Sequence, residues 1–459
     1  MAEIRVLAPC GVIGSGFPET SFERGLSFRP HVIGCDGGST DMGPASLGTG
    51  VPYFSRDATK RDLRLMLLGR GRLGIPLIIG SCGTAGGDDG LAWMRDICFE
   101  IAREQGLRIR LALIHSEQDK NYLKRRLREG RIRPLDPAPE LSEATIDRSA
   151  HIVGMMGDEP IAEALDRGAD VVLTGRASDT SIFACVPARM GADRGLAWHA
   201  AKILECGAAC AVTRKRPDGC FAWIQDDHFV VEPLDTQMYC TPQSVASHSL
   251  YENADPFYIT EPGGTLDTSR STYSAENERS VRVKGSAFQP ADTYTVKLEG
   301  AELAGHQAVI IGGVRDPFIL RQLDSWLAGM RRDFDTRVRE IYAAKGRVPD
   351  YKLIIRVYGR DGVMGPLEPL AGEIPHEVGI LFEITASDME SARGIASTFS
   401  HFAIHYPIPE WGGLISGLAY PFAPAELEKG PVYRFNVNHI VFPDTPCEMF
   451  PMELVEVGA

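Results

Sequence analysis

The chain has 459 residues and a mass of 50.1 kDa, with 44% apolar and 24% charged residues, an ordinary globular composition that excludes a disordered tail, a coiled coil and a disulfide miniprotein. Lys and Arg number 48 against 61 for Asp and Glu, a net charge of −13, so the field repels nucleic acid and anionic membrane and leaves only local basic pockets for phosphate. Ten scattered cysteines, no apolar run near the ~18 residues of a membrane span and no basic-then-apolar leader point to a reduced, cytoplasmic setting with no membrane partner.

Over residues 1–215 one pattern repeats: an apolar, β-branched run ends in a loop of Gly, Ser, Thr and Asp. Ile4–Ala8 leads into Cys10–Gly16, His31–Gly34 into Cys35–Asp41, and Ile75–Ile79 into Gly80–Asp89. Ile109–Ile114 leads into His115–Glu117, and Val171–Leu173 into Thr174–Thr180. Helical patterns such as Leu91–Gln105 and Ile161–Arg167 lie between them. Apolar runs alternating with helices predict an α/β fold, a Rossmann-like parallel sheet covered on both faces. Ligands of such sheets bind beyond the carboxyl ends of the strands, where all these loops fall.

Residues 216–290 are polar and rich in turn signals, such as Pro217-Asp218-Gly219 and Glu261-Pro262-Gly263-Gly264, and read as an irregular connecting extension. From 291 to 459 the candidate elements are Ala308–Ile311, Pro317–Ala344, Lys352–Tyr358, Glu377–Thr385, Met389–His405 and Val432–Val441. Their order, strand, helix, strand, strand, helix, strand, predicts a smaller α+β domain of ferredoxin-like type.

Three loops carry the chemistry. In Gly34–Pro44, the pair Gly37 and Gly38 lets backbone N–H groups approach an anion, and Ser39 and Thr40 can donate to it. Asp36 and Asp41 can bind Mg²⁺, orient a hydroxyl or act as a base; the plainer alternative is an Asx-rich turn. Gly80–Gly90 is neither a P-loop nor a dinucleotide fingerprint. It reads as a ligand cradle through Ser81, Gly83, Thr84 and Asp88, with a helix N-terminus following. Cys82 falls where a nucleophile would, but only half of the Gly-x-nucleophile-x-Gly elbow is present, so a small residue beside the ligand is the alternative. In Thr174–Thr180, Arg176 can hold a carboxylate or phosphate in a bidentate pair, with Ser178, Asp179 and Thr180 beside it; Asp179 can equally be its structural partner. His115 is a candidate acid or base at the end of a strand, or a structural histidine. Metal spacings are poor. His401 and His405 lack a neighbouring Glu, His199 and Glu205 do not share a helix face, and Cys206, Cys210 and Cys220 lack a second pair.

The segments Asp36–Pro44, Gly175–Thr180 and Ala201–Ala208, followed by Ser249–Pro256, resemble the acyclic terpene utilisation (AtuA-like) family, in the right order over about residues 30–260. The resemblance implies a bacterial cytoplasmic catabolic protein associated with breakdown of branched acyl-CoA or small organic acids, and no settled reaction. Longer members carry an extra small C-terminal domain that is not evident here, which implies a separately encoded small partner subunit.

The expected function is therefore a lyase or hydratase acting on a small hydroxy- or unsaturated carboxylate or its CoA thioester. Proton abstraction beside a carbonyl needs one placed base and donors for the oxyanion. Asp36 or Asp41 would be the base, Arg176 the carboxylate anchor, and the glycine-rich backbones the oxyanion donors. Two alternatives stay open: a hydrolase or acyltransferase with Cys82 as nucleophile, and a non-catalytic subunit that binds a small acid and scaffolds a partner. Glycine-rich, aromatic Glu410–Gly417, with the apolar residues of Trp411–Tyr420 and Val441–Met452, further predicts a homo-oligomer.

Overall fold

The computed structural model describes residues 3–344, 346, 350–409 and 417–458. Glu410–Ser416, part of the stretch from which a subunit contact is expected, lie outside the described residues. The chain forms two units, Met1–Glu302 with Arg434–Ala459, and Leu303–Tyr433.

In the first unit the five apolar runs become strands β1 (Ile4–Ala8), β2 (Val32–Asp36), β3 (Leu77–Gly80), β4 (Ile109–Ile114) and β5 (Val171–Thr174). They run parallel in the order β1–β2–β3–β5–β4. Every residue of β2, β3 and β5 is buried, the reason these strands read as unbroken apolar runs. Alternate residues serve opposite cores. Val6, Val32, Ile78 and Ala112 pack with Phe183, Trp198 and Ile203 on one face. Leu7, Ile33, Ile79 and Leu111 pack with Phe22, Met66 and Ile97 on the other.

The sheet does not stop at its parallel part. Cys220–Ile224 pairs antiparallel with β1, placing Phe221 opposite Leu7. Phe229–Pro233, Val281–Lys284 and Thr272–Ala275 follow by successive antiparallel pairs, and Met452–Val457 covers the far edge on β4. The result is a ten-stranded mixed sheet. Of residues 216–290, the strands Cys220–Ile224, Phe229–Pro233, Thr272–Ala275 and Val281–Lys284 thus extend this sheet, where an irregular connector was expected. The backbone of Cys220–Ile224 satisfies the open edge of β1, which would otherwise expose unpaired N–H and C=O groups. Val441, Met449 and Phe450 also belong to this unit's core, so the apolar residues of Val441–Met452 need no second subunit.

Two further pairings position the site. Ser149–Met155 runs antiparallel to the start of Val296–Val314, with Val153 opposite Glu299. The strands Tyr258–Glu261, Gly264–Asp267 and Ala287–Pro290 form a small antiparallel sheet.

In the second unit, the later part of Val296–Val314 pairs antiparallel with Val378–Ala386, which pairs in turn with Tyr351–Tyr358. Helices Leu323–Ala343 and Met389–Ile404 bury Trp326, Phe334 and Phe399 with Phe382 and Ile310 of the sheet. Leu418 joins the same core. Among the described residues no helix is long and apolar enough to cross a membrane.

Candidate functional site

The carboxyl ends of β2, β3 and β5 meet through their backbones. The Gly37 N–H donates to the Gly80 carbonyl at 2.7 Å, and the Thr84 N–H to the Gly37 carbonyl at 3.2 Å. The Ser81 and Cys82 N–H groups donate to the Gly175 and Thr174 carbonyls, both at 2.9 Å. Gly38 has φ 138°, and a Cβ there would stand 2.5 Å from the Thr84 Cα. Gly86 has φ 72°, and its Cβ would stand 2.2 Å from the Arg176 N. Only glycine allows backbones to approach this closely.

A cluster of charges is built on this floor. Buried Arg176 donates from Nε to Glu299 Oε2 at 2.9 Å. Its Nη1 donates to Asp179 Oδ1 at 2.9 Å, the Ala177 carbonyl at 2.8 Å and Ser81 Oγ at 3.2 Å. Glu299 also accepts from Thr40 Oγ1 at 2.9 Å and pairs with Lys297 at 2.8 Å. Asp179 opens the helix Asp179–Arg189, and the next residue, Thr180, donates to Glu205 Oε2 at 2.9 Å. Glu205 closes the helix Arg194–Leu204 and is ion-paired with Lys202, one turn back. Ser178 donates to Glu261, brought in by the small sheet. Asp36 ends β2, buried, with its Oδ1 left without a hydrogen-bond partner.

These surroundings sort the carboxyls into two classes. Burial, and then the charge of Asp179, push Asp36 well above the usual carboxylate range, against the pull of Arg176. Burial raises Asp179 too, although Arg176 opposes it. Burial lifts Glu205 to about 7, with Lys202 pulling down and Asp179 pushing up. Glu261, also buried, reaches about 8. Glu299 goes the other way: burial disfavours its charge, but Arg176 and Lys297 hold it at about 2. Arg176 pays for its burial through Glu299 and Asp179, which keep it firmly cationic. The site thus carries a fixed Arg–Glu pair beside four carboxyls that burial pushes upward, two of them, Glu205 and Glu261, to about 7 and about 8. Such separation of titrating groups is typical of acid–base sites.

Several expected residues have other roles. Asp41 is exposed on the turn Thr40–Met42, and Ser39 caps that turn by accepting the Asp41 N–H at 2.9 Å. The Gly37 N–H is committed to Gly80, so this glycine provides close packing rather than an oxyanion donor. Gly83 does the same, for a Cβ there would stand 2.2 Å from the Gly90 Cα. Thr84 Oγ1 accepts the Tyr53 N–H at 2.9 Å. Arg176 serves internal carboxylates in place of the expected ligand anchor. Cys82 is fully buried among the apolar residues beneath the sheet, its Sγ 3.7 Å from the Ile79 carbonyl. Burial pushes its thiol up, so it lacks both the access and the thiolate of a nucleophile. His115 and Ser116 diverge at the end of β4. Ser116 Oγ accepts the Arg176 N–H at 2.6 Å, whereas the His115 ring meets Asp88 at 2.8 Å. His115 and Asp88 therefore form a separate, partly exposed pair.

Lys202, Glu205, Glu261 and Glu299 are absent from the expected site residues. Lys202 and Glu205 left a signal, two charges in the buried last turn and end of the helix Arg194–Leu204, where polarity without a partner would be costly. Glu261 and Glu299 left none, because long-range pairing alone delivers them. Among the described residues no group of three or more His, Cys, Asp or Glu side chains is placed to hold a metal ion. Asp36 is buried, with its carboxyl pushed upward by that burial, whereas Asp41 is exposed on the turn beyond it.

A protein-family model described as acyclic terpene utilisation family protein AtuA matches residues 83–214 and 221–371. No curated protein and no solved structure matches the chain.

Proposed function

We propose that this chain, which belongs to the acyclic terpene utilisation family AtuA, is an acid–base enzyme of lyase or hydratase type acting on a small organic acid or its CoA thioester. The observation that carries this reading is the Asp36–Asp179 pair: two mutually repelling carboxyls beside one buried arginine, the first with an unpartnered oxygen. Two carboxyls so placed hold one proton between them more readily than none. Asp36 keeps it and donates to a leaving hydroxyl or a developing enolate oxygen. Asp179, ionised against Arg176 and partly exposed, accepts the proton from the carbon beside the carbonyl. Arg176 and Glu299 are positioning residues that keep Asp179 in place. Glu205 and Glu261 form the proton-holding wall behind.

The same reading takes the first unit as a Rossmann-like core with antiparallel additions. It takes the second as ferredoxin-like, from the strand order Tyr351–Tyr358, Val378–Ala386, Val296–Val314, Glu426–Val441. A cytoplasmic location, a homo-oligomer and a separately encoded small partner belong to this proposal and rest on the family.

The test is hydrogen exchange at carbon. A panel of hydroxy- and unsaturated acids and their CoA thioesters, incubated with the protein in D₂O, should give one that gains deuterium beside its carbonyl. Asp179→Asn should slow that exchange by about 10²–10⁴-fold, the contribution of a placed acid or base. Exchange untouched by Asp36→Asn and Asp179→Asn but abolished by Cys82→Ser would return the thiol mechanism.

A further inference from the structure

All ten cysteines are free thiols. Cys98 and Cys185 pack as small apolar residues, and burial pushes their thiols up. Three others stand apart because they meet one another. Cys210 Sγ lies 3.7 Å from Cys240 Sγ and 3.8 Å from Cys220 Sγ, and all three are buried. Long-range pairing brings them together. Cys210 ends the turn Gly207–Cys210 and leads into the two-residue strand Ala211–Val212, which pairs antiparallel with Tyr239–Cys240. Cys220 opens the strand that covers β1.

The three differ in charge and in freedom to move. Contacts with Cys220 and Cys240 hold the Cys210 thiol below its usual range, against burial. His248, buried at the end of the helix Pro242–His248 with no hydrogen-bond partner for its Nε2, acts in the same direction. Cys220 is fixed between two strands, opposite Ala8 and Pro233, and its Sγ lies 3.2 Å from the Glu232 carbonyl. Cys240 sits on a ladder of only two residues, beside exposed Tyr239. A thiol held low beside a more movable one is the arrangement of an attacking and a resolving cysteine. A cleft of about 770 Å³ is lined by Ala208, Ala209, Ala211 and Val212, on both sides of Cys210 in the chain, and gives a small uncharged oxidant a route to this turn. Cys10 and Cys35 are also close, at 3.6 Å, but their thiols donate to the Val12 and Asp36 carbonyls, and Cys10 and burial push Cys35 up.

We propose that Cys210 and Cys240 form a dithiol site oxidised by hydrogen peroxide. The Cys210 sulfur attacks one peroxide oxygen: an S–O bond forms, the O–O bond breaks, and the other oxygen leaves as water with the Cys210 proton. The Cys240 sulfur then attacks the Cys210 sulfur: an S–S bond forms, the S–O bond breaks, and the second water leaves with the Cys240 proton. Two thiols give up two electrons to become one disulfide, and one peroxide is reduced to two waters. The sulfurs close from 3.7 Å to about 2 Å. The short ladder gives way rather than the turn, because a Cβ on Gly207, at φ 57°, would already stand 2.6 Å from the Asp218 carbonyl oxygen. No step uses the carboxyl cluster, so this site stands or falls separately from the acid–base function.

Mass spectrometry of the full, reduced chain after near-stoichiometric hydrogen peroxide tests this. The intact mass should fall by two hydrogens and return with dithiothreitol, and a non-reducing peptide map should show Cys210 joined to Cys240. In Cys240→Ser the sulfenic acid should persist on Cys210, where dimedone captures it. In urea the same dose should spread over many cysteine pairs, because the fold no longer selects one. A mass unchanged by peroxide, or a map with Cys10 joined to Cys35 and Cys210 still free, would overturn the proposal. So would dimedone on any cysteine other than Cys210 in the variant. A Cys210–Cys220 link in the wild type would overturn the assignment of Cys240.

Discussion

Glu261 shows how one buried carboxyl sets a pH dependence. Unfolded, it holds its proton only to about pH 4.3; folded, it holds it to about 8. Between these values the folded state binds a proton that the unfolded state has lost, so stability is full below the lower value and falls as pH rises toward the upper. Glu261→Gln removes that loss. Its melting temperature should match or trail the wild type at pH 5 and gain on it steadily up to pH 8, a trend that thermal unfolding across pH would show. A parallel pair of curves would mean that Glu261 titrates normally. Cys82→Ser probes the opposite case. A hydroxyl placed among buried apolar groups should cost about 1–3 kcal/mol, read by urea denaturation, while deuterium exchange per folded molecule stays within twofold. The Arg176–Asp179 pairing was one of two readings open in the sequence, and geometry takes the structural one. The placement of His115 was not legible, since which side of a strand end a residue faces depends on register, and one residue decides between Arg176 and Asp88.

At the scale of elements, the parallel core was readable because each strand buries both faces and so appears as an unbroken apolar run. The antiparallel additions were not. Cys220–Ile224 and Phe229–Pro233 are short and bounded by turn residues, and nothing local says which edge they will join. For the same reason Glu299 could not be placed: it reaches Arg176 only through the pairing of its strand with Ser149–Met155. The glycine-rich loops were legible as the ends of the parallel strands, but the close backbone packing their glycines provide was not. Their glycines let three strand ends touch, and the titrating side chains stand between them. Gly38→Ala tests this. At φ 138° and 2.5 Å from Thr84, the methyl must separate the two loops. Destabilisation of about 2 kcal/mol or more is expected, with exchange activity lost along with it. A variant as stable and active as the wild type would show that the loops are free to part.

For the whole molecule, the net charge of −13 concealed three consecutive exposed cations, Arg214, Lys215 and Arg216. A sum over the chain reports the mean field and not its local reversals. The second unit exposes Val363 (85%), Leu367 (78%) and Ile374 (61%) in the segment before Val378–Ala386. Apolar residues gathered in this way favour a subunit contact, and light scattering of dilute protein should give a multiple of 50.1 kDa; a monomer mass would contradict the homo-oligomer. The account as a whole stands on the protonation of Asp36. Infrared difference spectra of the wild type against Asp36→Asn at pH 7 read that proton directly. A protonated carboxyl stretch that disappears in the variant is the predicted result. A difference spectrum showing only an ionised carboxylate at pH 7 would contradict it.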